Sequence, residues 1–274
     1  MLIPGLVSVT FRQLAPREIV RLAAAAGLQG IEWGGDIHVP YGDLGAAREA
    51  RALTEDVGLR VVAYGSYFRF RPEDSFEPVL ETALALGAPL IRVWAGNRPS
   101  ADADAPYRAA IAAESRRIAG LAASAGVSVA FEFHDGTLTD TLPSALELLQ
   151  AAEGMQTLWQ PPHDMLLEER LSTLRAVLPW LTNVHAFSWR GQPRRRLPLA
   201  GAGALWQAAL ETIAQTGREH AVLLEFVNGD DPHQLARDAA TLNHWLQAIK
   251  AGALGTRRRG HDHGSLPSAT IDEL

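Results

Sequence analysis

The sequence predicts a single eight-stranded β/α barrel, and two observations support that prediction. Short apolar strands alternate with amphipathic helices along most of the 274 residues, a pattern typical of a parallel sheet. In five places a helical run is followed by a glycine and then a strand, as expected where a left-handed residue ends a helix. These glycines are Gly27, Gly58, Gly87, Gly126 and Gly217. A closed barrel of this kind commonly takes about 250 residues, so one domain accounts for the length.

The predicted strands span residues 6–11, 29–33, 60–65, 89–94, 127–133, 156–160, 183–188 and 221–226. Each gap between them holds an amphipathic helical segment, such as PREIVRLAAAAG after the first strand. An open, doubly wound sheet is the alternative, but no Gly-x-Gly-x-x-Gly motif follows the first strand, which disfavours its dinucleotide-binding form. The barrel is predicted to occupy residues 1–250. Residues 251–274 are rich in Gly, Ser, Arg and His and are expected to form a flexible extension.

Composition excludes several classes of function. The net charge of −6 and the lack of a basic stripe argue against nucleic-acid partners. The absence of cysteine excludes disulfides, thiolate nucleophiles and thiolate metal sites. Lys250, the only lysine, lies in the last predicted helix, so Schiff-base chemistry is not expected. No long apolar run or basic leader is present, so we expect a cytoplasmic enzyme without a membrane partner.

The last four predicted strands each place a polar side chain at their C-terminal end. In VSVAFEFH the large side chains share one parity, so Glu132 and His134 should face the barrel interior or its mouth. The same alternation turns Gln160, His185 and Glu225 inward. Active sites of these barrels form at this end, and an unpaired buried carboxylate is costly. The cluster therefore predicts a divalent cation or a polar ligand, although His185 alone would also suit an ordinary core position.

Two earlier strands contribute further polar groups. Glu32 and Arg92 are open to two interpretations, an internal salt bridge or part of the ligand site. His134 is likewise either a substrate contact or a spacer behind the site. Trp94, at the end of the fourth predicted strand, is a candidate to pack against the apolar face of a carbohydrate-like ligand.

With these motifs in place, the chain resembles the xylose isomerase-like barrels, in particular the sugar phosphate isomerase/epimerase group, over about residues 5–250. The resemblance rests on FEFHDG, WQPPHD, NVHAFSW and LLEFV. It implies one divalent cation, Mn²⁺, Mg²⁺, Co²⁺ or Zn²⁺, held by Glu132, Gln160, His185 and Glu225. It also implies that Glu132 and Glu225 act as the acid–base pair that moves a proton through an enediolate. The expected activity is isomerisation or epimerisation of a sugar, sugar phosphate or polyol.

The same resemblance extends to substrate contacts and assembly. It implies substrate-binding roles for His134, His163 and Arg190. Trp94 and Glu32, from their positions near strand ends, complete the expected substrate contacts. It also implies a homodimer or homotetramer, as is common in the group.

The chain departs from the family pattern at the strand-six ligand. The family has an aspartate where Gln160 stands, and an amide oxygen can bind a hard cation but brings no charge. The cation is therefore expected to bind weakly, unless the nearby Asp164 reaches into the site.

Three alternatives to an isomerase follow from these residues. A polyol dehydratase or lyase would use the same proton abstraction and then expel a hydroxyl group. A barrel that binds a ligand without catalysis is the second, because of Gln160. A DNA-repair endonuclease of the same superfamily is disfavoured, since it needs histidines at strands three and four, where this chain has GSYF and VWAGN.

Overall fold

Hydrogen bonds between the first and last strands close the sheet into a barrel of eight parallel strands. The computed structural model describes residues 1–71, 73–191 and 193–259. The barrel strands are Leu2–Val7, Gly30–Gly34, Arg60–Gly65, Leu90–Trp94, Ser128–Glu132, Gln156–Trp159, Leu181–Ala186 and His220–Leu224. This order confirms the predicted barrel and excludes the open sheet.

Helices follow the strands around the outside of the barrel. Within the described residues they are Pro16–Ala25, Leu44–Asp56, Glu77–Leu86, Ala105–Ser124, Leu142–Ala151, Leu167–Val177, Gly203–Ala214 and Pro232–Arg259. A short hairpin follows the seventh barrel strand, and in it Trp189–Arg190 pairs antiparallel with Arg195–Arg196. Within the described residues, no helix is both long enough and apolar enough to cross a membrane.

Local sequence signals explain where several helices begin and end. The Asp104 carboxylate accepts a hydrogen bond from the Tyr107 N–H at 2.9 Å and so caps the fourth helix. The third helix ends at Gly87, whose φ of 73° is the left-handed conformation predicted for it. The four other glycines predicted to end helices also have positive φ.

The termini differ from the prediction in two respects. The first strand ends at Val7, and Ser8–Phe11 form a 3-10 turn, because the Ser8 hydroxyl accepts from the Gly34 N–H at 2.8 Å. The last helix is Pro232–Arg259, so the predicted boundary at residue 250 falls inside it. Alanine, leucine and arginine in this stretch favour a helix, and no proline stops it. Residues 260–274 of the predicted flexible extension lie outside the described residues.

The barrel interior is apolar at its centre. Ala130 faces inward with Ala63 and Leu90, whereas Val129 and Phe131 pack outward against the helices. This arrangement confirms the predicted alternation in the fifth strand. A second interior cluster contains Val7, Val9, Val62, Ala221 and Leu223. These small apolar layers form the floor on which the charged groups of the C-terminal end are placed.

The alternation of the eighth strand, if continued, would place Phe226 on the outward face with Leu224, but Phe226 packs against the interior cluster instead. The strand ends at Leu224, and Phe226 has a positive φ of 55°, so the alternation of a strand no longer applies there.

Candidate active site

Three buried side chains meet at the C-terminal end of the barrel. Glu132 ends the fifth strand, His185 lies in the seventh, and Glu225 directly follows the eighth. One ligand atom from each lies within 4.8 Å of the other two. Two carboxylates and an imidazole are donors that suit a divalent cation. The structure therefore brings together three of the four residues predicted to hold one.

His185 provides the clearest indication that a cation fits this position. Its Nε2 lies 3.1 Å from Glu32 Oε2. Its Nδ1 is 3.4 Å from Glu225 Oε2 but is buried without a hydrogen-bond partner. An imidazole that donates through one nitrogen to a carboxylate presents the lone pair of the other nitrogen to a metal. This unpartnered nitrogen lies toward Glu225, which with Glu132 would complete the ligand set.

The charges around His185 are strongly coupled. Burial alone would lower the pKa of His185, but the carboxylates of Glu225 and Glu32 outweigh it and raise that pKa to about 10. Burial alone would likewise raise the pKa of Glu32, but the charges of His185 and Arg92 lower it to about 2. In the absence of a cation, a proton on His185 therefore partly neutralises the surrounding carboxylates.

Arg92 forms ion pairs with two of the buried glutamates, Glu32 and Glu132. It is only 2% exposed, and its Nε donates to Glu32 Oε1 at 2.6 Å, which confirms the predicted internal salt bridge. Its Nη1 also donates to Glu132 Oε2, a contact that the sequence did not predict. Gly65 permits this arrangement, because a Cβ there would lie 2.2 Å from Arg92 Nη2. Burial disfavours the charged guanidinium, but Glu132 and Glu32 raise the pKa of Arg92 above its ordinary range.

Glu32 was predicted to bind substrate, and its position differs from that role. Its side chain is fully buried, and its two oxygens are taken by Arg92 and His185. Glu32 therefore lies behind the candidate ligand His185 and orients it, without a surface that a substrate could reach.

Gln160 was predicted to be the fourth ligand through its amide oxygen. It follows the sixth strand, and its Nε2 donates to the Phe133 carbonyl oxygen at 2.5 Å. The same nitrogen lies 3.4 Å from Glu132 Oε1. Because only the nitrogen end of an amide can donate, the structure turns that end toward Glu132. Asp164, the other candidate considered for this place, is exposed.

Trp94 and His134 form one wall of the mouth. The indole Nε1 of Trp94 donates to Glu132 Oε2 at 2.5 Å. The ring of His134 stacks on that of Trp94, with centroids 3.8 Å apart. Sequence reasoning missed Arg69, whose guanidinium carbon lies 3.7 Å from the Trp94 ring centre. Its signal was an arginine between two phenylalanines just after the third strand.

His163 and the hairpin form the opposite wall. The His163 ring stacks on Trp189 at 5.1 Å and lies 5.7 Å from the Phe187 ring. Burial and the charge of Arg194 lower the pKa of His163, which favours its neutral form. Arg190, predicted to contact substrate, is exposed on the hairpin.

Comparison with known proteins relates this chain to other barrels. A family model described as xylose isomerase-like TIM barrel matches residues 20–249. A 3-dehydroshikimate dehydratase of Bacillus anthracis is 32% identical over 157 residues, and the match covers 53% of this chain and 56% of that protein. The match thus spans just over half the length of that relative.

Two solved structures show the same fold. The probable 3-DHS dehydratase involved in petrobactin synthesis in Bacillus anthracis superposes with a TM-score of 0.73 at 22% identity, covering 89% of this chain and 99% of that chain. D-psicose 3-epimerase of Clostridium cellulolyticum H10, solved with D-tagatose, gives a TM-score of 0.66 at 16% identity and covers 90% and 99% of the two chains. At these identities, both structures support the fold alone.

Proposed function

Because the chain belongs to the xylose isomerase-like TIM barrel family, we propose that it is a metal-assisted dehydratase of a small hydroxylated carbonyl compound. In this reaction a base removes the proton next to the carbonyl, and the hydroxyl group on the following carbon leaves as water. The curated relative named as a 3-dehydroshikimate dehydratase makes that compound the first substrate to test.

The unequal surroundings of the two glutamates carry this proposal. Glu132 already accepts from Arg92, Trp94 and Gln160. By contrast, His185 is the only charged side chain within ion-pair distance of Glu225 among the described residues. One carboxylate thus accepts from three donors, whereas the other has a single charged neighbour and is the better candidate for the base. An elimination needs one such base, whereas an epimerisation needs two groups that exchange protons on opposite faces.

Glu132, His185 and Glu225 would hold the divalent cation, which when bound would polarise the substrate carbonyl and stabilise negative charge on its oxygen. Glu225 would remove the proton next to that carbonyl, and Glu132 would keep its ion pair with Arg92. The proton that Glu225 takes up would return to the departing hydroxyl group, so that it leaves as water. His134 would contact that hydroxyl group, because its Nδ1 donates to the Asp135 carbonyl oxygen at 2.7 Å and leaves Nε2 for the substrate.

Isomerisation or epimerisation of a sugar is the second candidate, and the proximity of Glu132 to Glu225 supports it. Two carboxylates whose oxygens lie within 4.8 Å of one another could act as a pair on one substrate. In that reaction, Glu132 would have to give up its contact with Arg92 to carry a proton.

The two candidates separate in one assay. The purified protein, loaded in turn with Mn²⁺, Mg²⁺, Co²⁺ and Zn²⁺, is given 3-dehydroshikimate, and the aromatic product is followed by its ultraviolet absorbance. In parallel, D-fructose, D-psicose and D-tagatose are incubated in D₂O, and deuterium uptake is measured by NMR. We expect absorbance growth with the first substrate and no deuterium in the ketoses. Deuterium uptake without dehydration would favour the epimerase. If both signals are absent, the remaining interpretation is a barrel that binds ligands without catalysis.

Matched variants test the role of the base. Glu225→Gln removes the proposed base, and we expect turnover to fall about 10²- to 10⁴-fold. Glu219→Gln changes an exposed glutamate at the opposite end of the same strand, paired with Arg60, and should retain turnover. A Glu225→Gln enzyme that turns over normally would rule out Glu225 as the base.

A further inference from the structure

We infer that Arg69 forms a carboxylate-binding subsite at the mouth of the barrel, so that the substrate carries a carboxylate in addition to its carbonyl and hydroxyl groups. This inference rests on the proposed function in placing the substrate at this mouth. It does not depend on which bond of the substrate is broken.

The segment that bears Arg69 is held firmly against the fourth strand. The Ser66 N–H donates to the Arg92 carbonyl oxygen at 3.1 Å, and the Trp94 N–H donates to the Phe68 carbonyl oxygen at 2.9 Å. Phe68 and Phe70 are both buried, and their rings lie 5.0 Å apart. Arg69 is thus placed between two buried anchors, and its side chain is left at the rim.

The backbone on either side of Arg69 is strained. Tyr67 and Phe70 both have a φ of 59°, in the left-handed region that bulky residues rarely adopt. Such residues cost of order 1–3 kcal/mol each and persist only where the surroundings fix them. The anchoring contacts therefore maintain a conformation that the local sequence does not favour.

The guanidinium of Arg69 lies one side chain away from the candidate metal ligands. Its carbon is 3.7 Å from the Trp94 ring centre, and the indole Nε1 of Trp94 is 2.5 Å from Glu132 Oε2. Through Trp94, Arg69 therefore lies next to the mouth where the three ligand groups meet. Stacking on an aromatic ring leaves the N–H fork at the edge of the guanidinium free to donate.

Among the described residues, Arg69 has no counter-ion. Several other arginines of this end do pair with aspartates, as in Arg12–Asp36, Arg71–Asp74 and Arg196–Asp230. Within the described parts of the chain, no carboxylate lies within ion-pair distance of Arg69, which is half-buried. Burial and the charge of Arg71 lower the pKa of Arg69 from its ordinary value.

A half-buried guanidinium without a carboxylate of its own suits a carboxylate supplied by the ligand. The planar fork of arginine matches the two oxygens of a carboxylate and forms paired, charge-assisted hydrogen bonds with them. Arg92 cannot take this role, since it is buried and already bound to Glu32 and Glu132. Arg98, Arg190 and Arg195 also lack a described ion pair, but all three are exposed. Arg170, which is half-buried, lies on the sixth helix and acts on His163 at the opposite wall.

Binding of two probes that differ only in charge tests the inference without requiring turnover. The probes are protocatechuate, the dihydroxybenzoate that loss of water from 3-dehydroshikimate would give, and its uncharged amide. Calorimetry on the Mn²⁺-loaded protein should show that the carboxylate binds about 10- to 100-fold more tightly than the amide. Arg69→Gln should abolish this preference, and Arg69→Lys should restore part of it. Arg71→Gln, the matched control, should retain the preference.

Three results would overturn the subsite. They are no preference in the unmodified protein, an equal loss of both probes in Arg69→Gln, and loss of the preference in Arg190→Gln instead. Failure of the proposed function is measured separately. A charge preference that depends on Arg69, in a protein that dehydrates nothing, would leave the subsite intact and remove the dehydratase reaction.

Discussion

His185 Nε2 lies 3.1 Å from Glu32 Oε2, and the opposite nitrogen of the same ring faces Glu225 without a hydrogen bond. A carboxylate buried behind a histidine fixes which nitrogen carries the proton and how the ring is turned. Glu32 thereby sets the orientation of His185, although only His185 would contact the cation directly.

The first prediction concerns that control. In Glu32→Gln the orienting group loses its charge, so the ring is held less firmly and is a weaker donor to a cation. Metal affinity should fall about 10- to 100-fold, as measured by calorimetric titration of Mn²⁺ into chelator-treated protein. Glu168→Gln, at an exposed glutamate paired with Arg175, provides the control. Equal affinity in both variants would show that Glu32 does not orient His185.

The second prediction concerns Gln160. Replacement by aspartate brings a negative charge near Glu132 and removes the amide that donates to Phe133. We expect Mn²⁺ to bind at least about tenfold more tightly, because hard cations favour charged oxygen ligands. The unloaded protein should be less stable, since the new carboxylate repels Glu132.

Gln160→Asn is the matched variant for that experiment. Asparagine has the same size as aspartate but carries no charge, so only Gln160→Asp should strengthen Mn²⁺ binding. If Gln160→Asn and Gln160→Asp bind the cation alike, charge at this position has no influence on the site.

The third prediction concerns the buried guanidinium. Arg92→Met leaves the carboxylates of Glu32 and Glu132 without their shared partner, and breaking a buried pair in this way costs about 3–5 kcal/mol of unfolding free energy. Urea unfolding in the presence of a chelator measures the loss. Arg51→Met breaks an exposed pair with Glu55 and should cost only about 0.3–0.5 kcal/mol. Similar losses in the two variants would contradict the assigned role of Arg92.

The fourth prediction concerns pH and a carboxyl group far from the site. Burial raises the pKa of Asp238 above its ordinary value of 3.8, although Leu199 N–H and Gln234 Nε2 both donate to its Oδ1. Between the unfolded and folded pKa values the folded protein binds more protons, so stability falls as the pH rises through that window. Asp238→Asn does not titrate, and its stability relative to the unmodified protein should therefore increase as the pH rises above 4.

Urea unfolding of both proteins at pH 4 and pH 7 measures that difference. Asp231→Asn supplies a comparison at a more exposed aspartate at the start of the same helix. A difference between Asp238→Asn and the unmodified protein that shrinks toward pH 7 would show that burial does not penalise this charge.

The barrel was predictable because its signal repeats. Alternation within strands and glycines after helices recur around the chain, so the inward direction of Glu132, His185 and Glu225 followed from counting. That count failed where the strand ended, as at Phe226, whose positive φ turns the ring back toward the interior.

Contacts between distant strands were less predictable. Only Glu32 was considered as an ion-pair partner of Arg92. The sequence shows which side chains of a strand point inward, but not the register between strands that also brings Glu132 within reach of Arg92. Which end of the Gln160 amide faces Glu132 depends on a single contact, the hydrogen bond from its Nε2 to the Phe133 carbonyl oxygen. The sequence favoured an isomerase or epimerase, and the unequal donors around the two glutamates are what shift the proposal toward a dehydratase.

The triangle of Arg92, Glu32 and Glu132 has a consequence for electroneutrality. With His185 neutral, the carboxylates of Glu32, Glu132 and Glu225 and the guanidinium of Arg92 leave two negative charges among buried side chains. A divalent ion cancels them, whereas a monovalent ion leaves an excess and a trivalent ion exceeds them. The uncharged amide at Gln160 thus suits a pocket whose own arginine already fixes the balance, and the loaded barrel would carry no net charge at its centre.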